Sequence, residues 1–251
     1  MLPQICPQDA IGRSALSSLG LLAALALPLT LSGCDDPHVE KPAAKSPSPI
    51  VMAPEGAYPE GTVLAIGGVP VTKAEIDAYV PLMRLIDPHL VKSGLRRTAL
   101  ANVVLPLASG KALDPAAREA AHQKAQAALA SVRETGVFPP DAPAANLLSG
   151  TWKDVGLVPF NAAMSMEPGT YSGLLEAPAS WVFFKLIATN LEEGEPFAVG
   201  TQITIQRYDV PYLPEEGSIQ LLQDGIDNLP IEIVDPEWEH IIPPIVLYQQ
   251  R

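Results

Sequence analysis

Residues 150–190 read GTWKDVGLVPFNAAMSMEPGTYSGLLEAPASWVFFKLIATN, and the fold is decided there. Phe160–Met166 carries short helical spacing, and Glu167-Pro168-Gly169 is turn chemistry. Proline presets φ near −65° and glycine accepts the positive φ that a side chain resists. Trp181–Ala188 is then a strongly apolar and aromatic run of strand length, as a buried core strand requires. Helix, turn and strand in so short a stretch predict the α+β class. Beyond it, Thr201–Val210 (TQITIQRYDV) is a second strand with Ile203 and Ile205 on one face. The tail from Tyr212 to Arg251 mixes a short helix, Ser218–Asp224, with proline-punctuated extended runs.

Upstream, the punctuation is helical. Thr62–Ile66 is a short β-rich run, Gly67-Gly68 a turn, and Val69–Val71 a second extended piece. Thr72 followed three residues later by Glu75 is a capping box, so a helix begins there. Ile76, Tyr79, Val80, Met83 and Ile86 make its buried face, and Pro81 kinks it. A second helix covers about Leu95–Leu107. Asp114 as cap and Pro115 at the first helical position start a third, which runs to about Glu134 and ends at Gly136. Residues 137–150, rich in proline and alanine, read as loop.

The N-terminus reads as an export signal. Arg13 is the only positive charge before an uncharged apolar run, Leu19–Leu31, which is too short for a span needing about 20 residues. Leu31-Ser32-Gly33-Cys34 follows, and it resembles the lipobox of bacterial lipoproteins, which implies cleavage after Gly33 and a lipid on Cys34. The alternative is a secretory signal with a chance cysteine. Cys6 falls in residues 1–33, so no thiol remains beyond Cys34 for a disulfide, a nucleophile or a metal. Residues 34–60, rich in proline, alanine and serine, read as a tether reaching up to about 80 Å in the polyproline form. Asp35 resembles the enterobacterial signal for inner-membrane retention, and the expected location is the cell envelope, facing the periplasm. The formal charge of −12 argues against nucleic acid and against electrostatic docking on anionic lipid.

Catalytic chemistry is thin. His89 sits in an Asp-Pro-His turn, and His122 lies on the alanine-rich helix and reads as exposed. Asp235–His240 gathers three acids and a histidine, yet nothing pairs with it at ligand spacing elsewhere, so it reads as a solvated turn. Neither a nucleophile elbow nor a phosphate-cradling glycine loop is present. No metal and no cofactor is expected.

Two segments carry a family resemblance. TVLAIGGVPVTKAEIDAYV, residues 62–80, resembles the opening of SurA-type and PpiD-type periplasmic chaperones. Residues 150–190 look like the second half of a parvulin domain, the PpiC-type peptidyl-prolyl isomerase. Pro159-Phe160 enters the helix, Met166–Ser172 makes the turn and Trp181–Leu186 makes the final strand. The helix Asp114–Glu134, closing in Gly136-Val137-Phe138, is similar to that family's first helix. The resemblance implies a groove in which a proline peptide bond is twisted against a barrier of about 18–20 kcal/mol, between two histidines and a Cys or Asp. Here Val182 stands at the terminal-strand histidine, Ser180 at the preceding glycine and Gly156 at the groove methionine. Asp141 lies only loosely near the acid position, and Phe160 alone carries over. The strand bearing the other histidine is missing before Asp114. Thr201–Val210 would fill its place from the C-terminal side, with Tyr208 for the histidine, or is simply an added edge strand.

The resulting expectation is an N-terminal helical, chaperone-like lobe (61–112), a degenerate parvulin-like small antiparallel sheet with helices (113–192) and a β-rich extension (193–251). It would be a membrane-tethered lipoprotein that binds unfolded or exported polypeptides, with Phe160, Trp181 and Phe183 as peptide-binding candidates. An active isomerase with an altered site and an assembly lipoprotein docking one partner are the alternatives.

Overall fold

The computed structural model describes residues 50–139, 146–192 and 194–243. The expected signal segment 1–33, Cys34, Asp35 and Asp141 lie outside the described residues. Described residues form one compact unit.

Ile50–Met52, expected within the tether, is a strand (β1). Thr62–Ile66 (β2) and Val69–Thr72 (β3) pair antiparallel across Gly67 and Gly68, whose φ values of 56° and 80° suit glycine. Thr72 then caps α1 (Lys73–Asp77): the Glu75 amide donates to Thr72 Oγ1 at 3.2 Å, and the Thr72 amide to Glu75 Oε2 at 2.7 Å. The expected kink is a break. Pro81 has no N–H to give the carbonyl four residues back, so the chain unwinds and α2 (Val80–Ile86) restarts with Pro81 in its first turn.

The second helix is longer than its periodicity suggested. It comprises α3 (Lys92–Ala99), a widened π turn over Leu100–Val104, and α4 (Leu105–Leu113). The Leu105 amide reaches back five residues to the Leu100 carbonyl, a widening that accommodates Pro106 without ending the helix. Next, α5 (Pro115–Thr135) is capped by Asp114, which accepts from the Ala117 amide at 2.9 Å, and ends at Gly136 in the left-handed region, φ 72°.

The decisive segment gives β4 (Asn146–Gly150), α6 (Trp152–Val155), α7 (Leu157–Ala163), β5 (Leu175–Ala177) and β6 (Ser180–Thr189). The helix expected over Phe160–Met166 begins earlier, and β4 occupies residues read as loop. Then come β7 (Ile203–Pro211), α8 (Ser218–Asn228), β8 (Ile231–Ile233) and a 3₁₀ turn over Pro236–Ile241.

Two four-stranded sheets result. One has the order β1-β8-β2-β3 and is mixed, since β1 runs parallel to β8; the other, β4-β7-β6-β5, is antiparallel throughout. Thus β7 lies inside its sheet, bonded on both sides, and is no edge strand. Burial on both faces explains the apolar β6 run. Phe184 and Leu186 join Phe160, Val155, Ile203 and Ile205 in the main core. On the other face Phe183 packs with Tyr208, Val210 and the Ala121, Ala125, Leu129 and Val132 stripe of α5. The main core draws residues from Val63 to Ile242 and so joins segments from both sides of 112/113 and of 192/193, while α5 packs in the other cluster.

Candidate functional site

The three aromatic candidates do not share a groove. Phe160 and Phe183 are both wholly buried (0 % exposed), but in separate core clusters on opposite faces of the antiparallel sheet. Alternation along β6 enforces this: Phe183 faces α5, while Phe184 faces the α7 side where Phe160 sits. The ring of Phe197, in the connection to β7, stands edge-on over Phe160 with centroids 5.8 Å apart. Trp181 is half-buried on the α5 face, where its indole N–H donates to the Arg118 carbonyl at 3.1 Å. His122 lies against Trp181, the rings tilted at 45° with centroids 4.5 Å apart, so it is half-buried beside an aromatic ring rather than free on an exposed face.

An apolar recess of about 170 Å³ opens between the π turn, the start of α7 and the β5–β6 hairpin, and wholly buried Phe160 is not among its walls. Its walls are Asn102 and Val103, then Gly156 to Pro159, then Ala177 and Pro178. Gly156 turns the chain between α6 and α7 with φ 91°, a value that favours glycine. Thr151 and Asp154 form a capping box that fixes α6 just before it. The recess has the size and lining to hold one aliphatic or proline side chain.

Under α6, the sheet face carries an ion pair. Arg207 Nη2 donates to Asp209 Oδ1 at 2.6 Å, Arg207 Nη1 to the Val155 carbonyl at 3.2 Å, and Ser180 Oγ to Asp209 Oδ1 at 3.3 Å. The pair therefore ties α6 to the sheet. Opposite Val182 in the ladder stands Asp209, not Tyr208, which faces Phe183. Tyr208 is buried on the α5 side, so it does not stand beside Val182 as a substitute for a histidine.

A second recess escaped sequence reasoning. It measures about 260 Å³ and is floored by Val71, Val104, Leu107 and Ala108, with Tyr79, Glu75, Lys111 and Glu176 around it. Lys111 Nζ lies 3.6 Å from Glu75 Oε1 and 3.5 Å from Glu176 Oε2. Glu176 is also gripped by both arms of Arg118, whose cation leans over Trp181 at 5.2 Å. Burial, with Glu176 and Glu75 adding repulsion, pushes the Tyr79 phenol above its ordinary value. Burial likewise raises Tyr212, whose hydroxyl donates to the Ala177 carbonyl at 2.8 Å. The walls come from three stretches far apart in sequence, residues 70–79, 104–111 and 176, so no local motif announces them.

The remaining described histidines, His89 and His240, sit outside both recesses. His89 is exposed, its amide bonded to Asp87 Oδ1. His240 is exposed on the 3₁₀ turn, whose Trp238 is buried beneath Arg96. Among the described residues no group of three or more His, Cys, Asp or Glu is placed to hold a metal ion. Among them too, no helix is long and apolar enough to cross a membrane. No protein-family model, no curated protein and no solved structure matches this chain.

Proposed function

We propose that this chain is a lipid-anchored, periplasm-facing module of SurA/parvulin-like build that holds unfolded or exported polypeptides without isomerising their proline bonds. The observation that carries the reading is the apolar recess at Gly156–Pro159, whose walls hold no imidazole. Val182 stands where the resemblance asks for the terminal-strand histidine, and Asp209 faces it across the ladder. Strand order supports the parvulin-like part: β7 sits between β4 and β6, with α5 on one face and α7 on the other. Such a sheet is what the family's pattern becomes when its first strand is supplied from the C-terminal side. In this mechanism an aliphatic or proline side chain of the client leaves water for the recess, and Asn102 offers polar contact at its edge. Anchoring rests on Cys34 and inner-membrane placement on Asp35.

Phe160→Ala is a poor probe, because truncating a wholly buried ring opens a core cavity. Leu157, half-buried at the recess, is the better position. A photo-crosslinker placed at Asn102 should capture a denatured client, and Leu157→Asp should lower capture about tenfold while the chain stays folded. Suppression of client aggregation should fall in parallel, with no acceleration in a protease-coupled proline assay. Acceleration that Leu157→Asp abolishes would establish the isomerase instead. Capture of one native partner and no denatured client would establish the docking protein. Fatty-acid labelling lost in Cys34→Ala tests the anchor.

A further inference from the structure

The recess between β3, α1, α4 and β5 has the chemistry of a slot for a long cationic side chain. Its floor of Val71, Val104, Leu107 and Ala108 suits an aliphatic stem, and its rim sets Glu75 and Glu176 where an ammonium or guanidinium group would end. The free protein already shows the fit. Lys111 places its own ammonium between the two carboxylates, at 3.6 and 3.5 Å, too far for strong hydrogen bonds and still partly exposed. Arg118 fixes Glu176 from behind, so that carboxylate stays in place whichever cation lies in front. Glu75 is the more accessible of the two, its side chain 44 % exposed, and its cap on α1 holds its position. Tyr79 adds a hydroxyl to the same wall. A chain of net charge −12 favours a basic ligand from a distance.

We propose that this recess receives a lysine or arginine side chain of a bound peptide, with Lys111 as the resident cation it displaces. The proposal rests on the peptide-binding reading above and names the chemistry of the client: segments carrying a basic residue.

The test uses the full chain and three fluorescent nonapeptides with the same aliphatic residues, bearing lysine, glutamate or neither at the central position. Anisotropy should show the lysine peptide binding about tenfold more tightly than the glutamate peptide, with the difference shrinking as salt rises. Glu75→Gln keeps an oxygen for the Thr72 cap and removes the charge, so it should weaken the lysine peptide about threefold and leave the neutral one unchanged. Lys111→Met keeps the stem and removes the competitor, so it should strengthen the lysine peptide about threefold. Circular dichroism confirms that both variants fold. Equal binding of the lysine and glutamate peptides, or no response to either substitution, overturns the slot while leaving peptide binding intact. Failure of every peptide to bind overturns both.

Discussion

The two sheets are held by different means. In the antiparallel sheet, β6 and β7 run ten and nine residues and are covered on both faces, so stability resides in side chains such as Phe183 and Phe184. In the mixed sheet, β1 and β8 have three residues each, and the outer strand carries exposed Val51 and Met52. Its buried part is β2, all five of whose residues are inside. Substitutions in the first sheet should therefore act through lost packing, and substitutions at the rim of the second through single backbone bonds.

The largest effect is expected at Phe184. Phe184→Ala should cost about 4 kcal/mol in denaturant unfolding, and Phe183→Ala about 3, since half-buried Phe138 stacked on Phe183 can relax into the space. The reverse order would mean that the α5 face, not the main core, dominates that sheet.

Next comes the helix between the sheets. A Cβ on Gly110 of α4 would fall 2.0 Å from the Pro178 carbonyl oxygen and 2.9 Å from the Tyr212 hydroxyl. Gly110→Ala should cost about 2–3 kcal/mol by forcing the β5–β6 hairpin off α4, read as a lower melting temperature. A neutral result would show that the contact between α4 and the hairpin is slack.

At the rim, Ala53→Pro deletes the amide that donates to the Ile233 carbonyl at 2.8 Å, and should cost about 1 kcal/mol. Hydrogen exchange should quicken in β8 and leave β6 unchanged.

The smallest effect is electrostatic. Arg96 grips Asp77 with two hydrogen bonds, 2.7 and 2.6 Å, and holds its carboxyl below the usual range. A carboxyl depressed in the folded state contributes fully above its unfolded value of about 4 and loses that contribution as pH falls below it. Asp77→Asn should therefore flatten the decline of stability as pH falls below about 4, with little change in slope near pH 7.

What the sequence disclosed follows the range over which each signal acts. The Thr72–Glu75 cap, the Asp114–Pro115 start and the Gly136 stop are written within a few residues, and each stands where its chemistry puts it. Pro81 was legible as a kink but ends a helix, whereas Pro106, inside the helix expected over Leu95–Leu107, is absorbed by a wider turn. Strands β1, β4 and β8 escaped notice because their partners lie far off, Ile50 against Ile231 and Asn146 against Arg207. No short window contains both halves of such a pair. The candidate site was legible only to its neighbourhood. An aromatic run tells that Phe160 and Phe183 have somewhere apolar to go, but a binding cleft and a packed core ask for the same residues. Glu75, Lys111 and Glu176 meet only because α4 passes between the sheets.

The place of β7 and β8 also dictates timing. Each is an interior strand, so one sheet cannot close until Ile203–Pro211 is available and the other waits for Ile231–Ile233. A chain that emerges N-terminus first holds β2 and β6, both largely apolar, without neighbours on one side until nearly the whole polypeptide is made. Closing such long loops is slow, and unpaired apolar strands are open to association meanwhile. Assembly is thus one late event for both sheets, and a chain cut short before Ile203 would leave each of them without its middle.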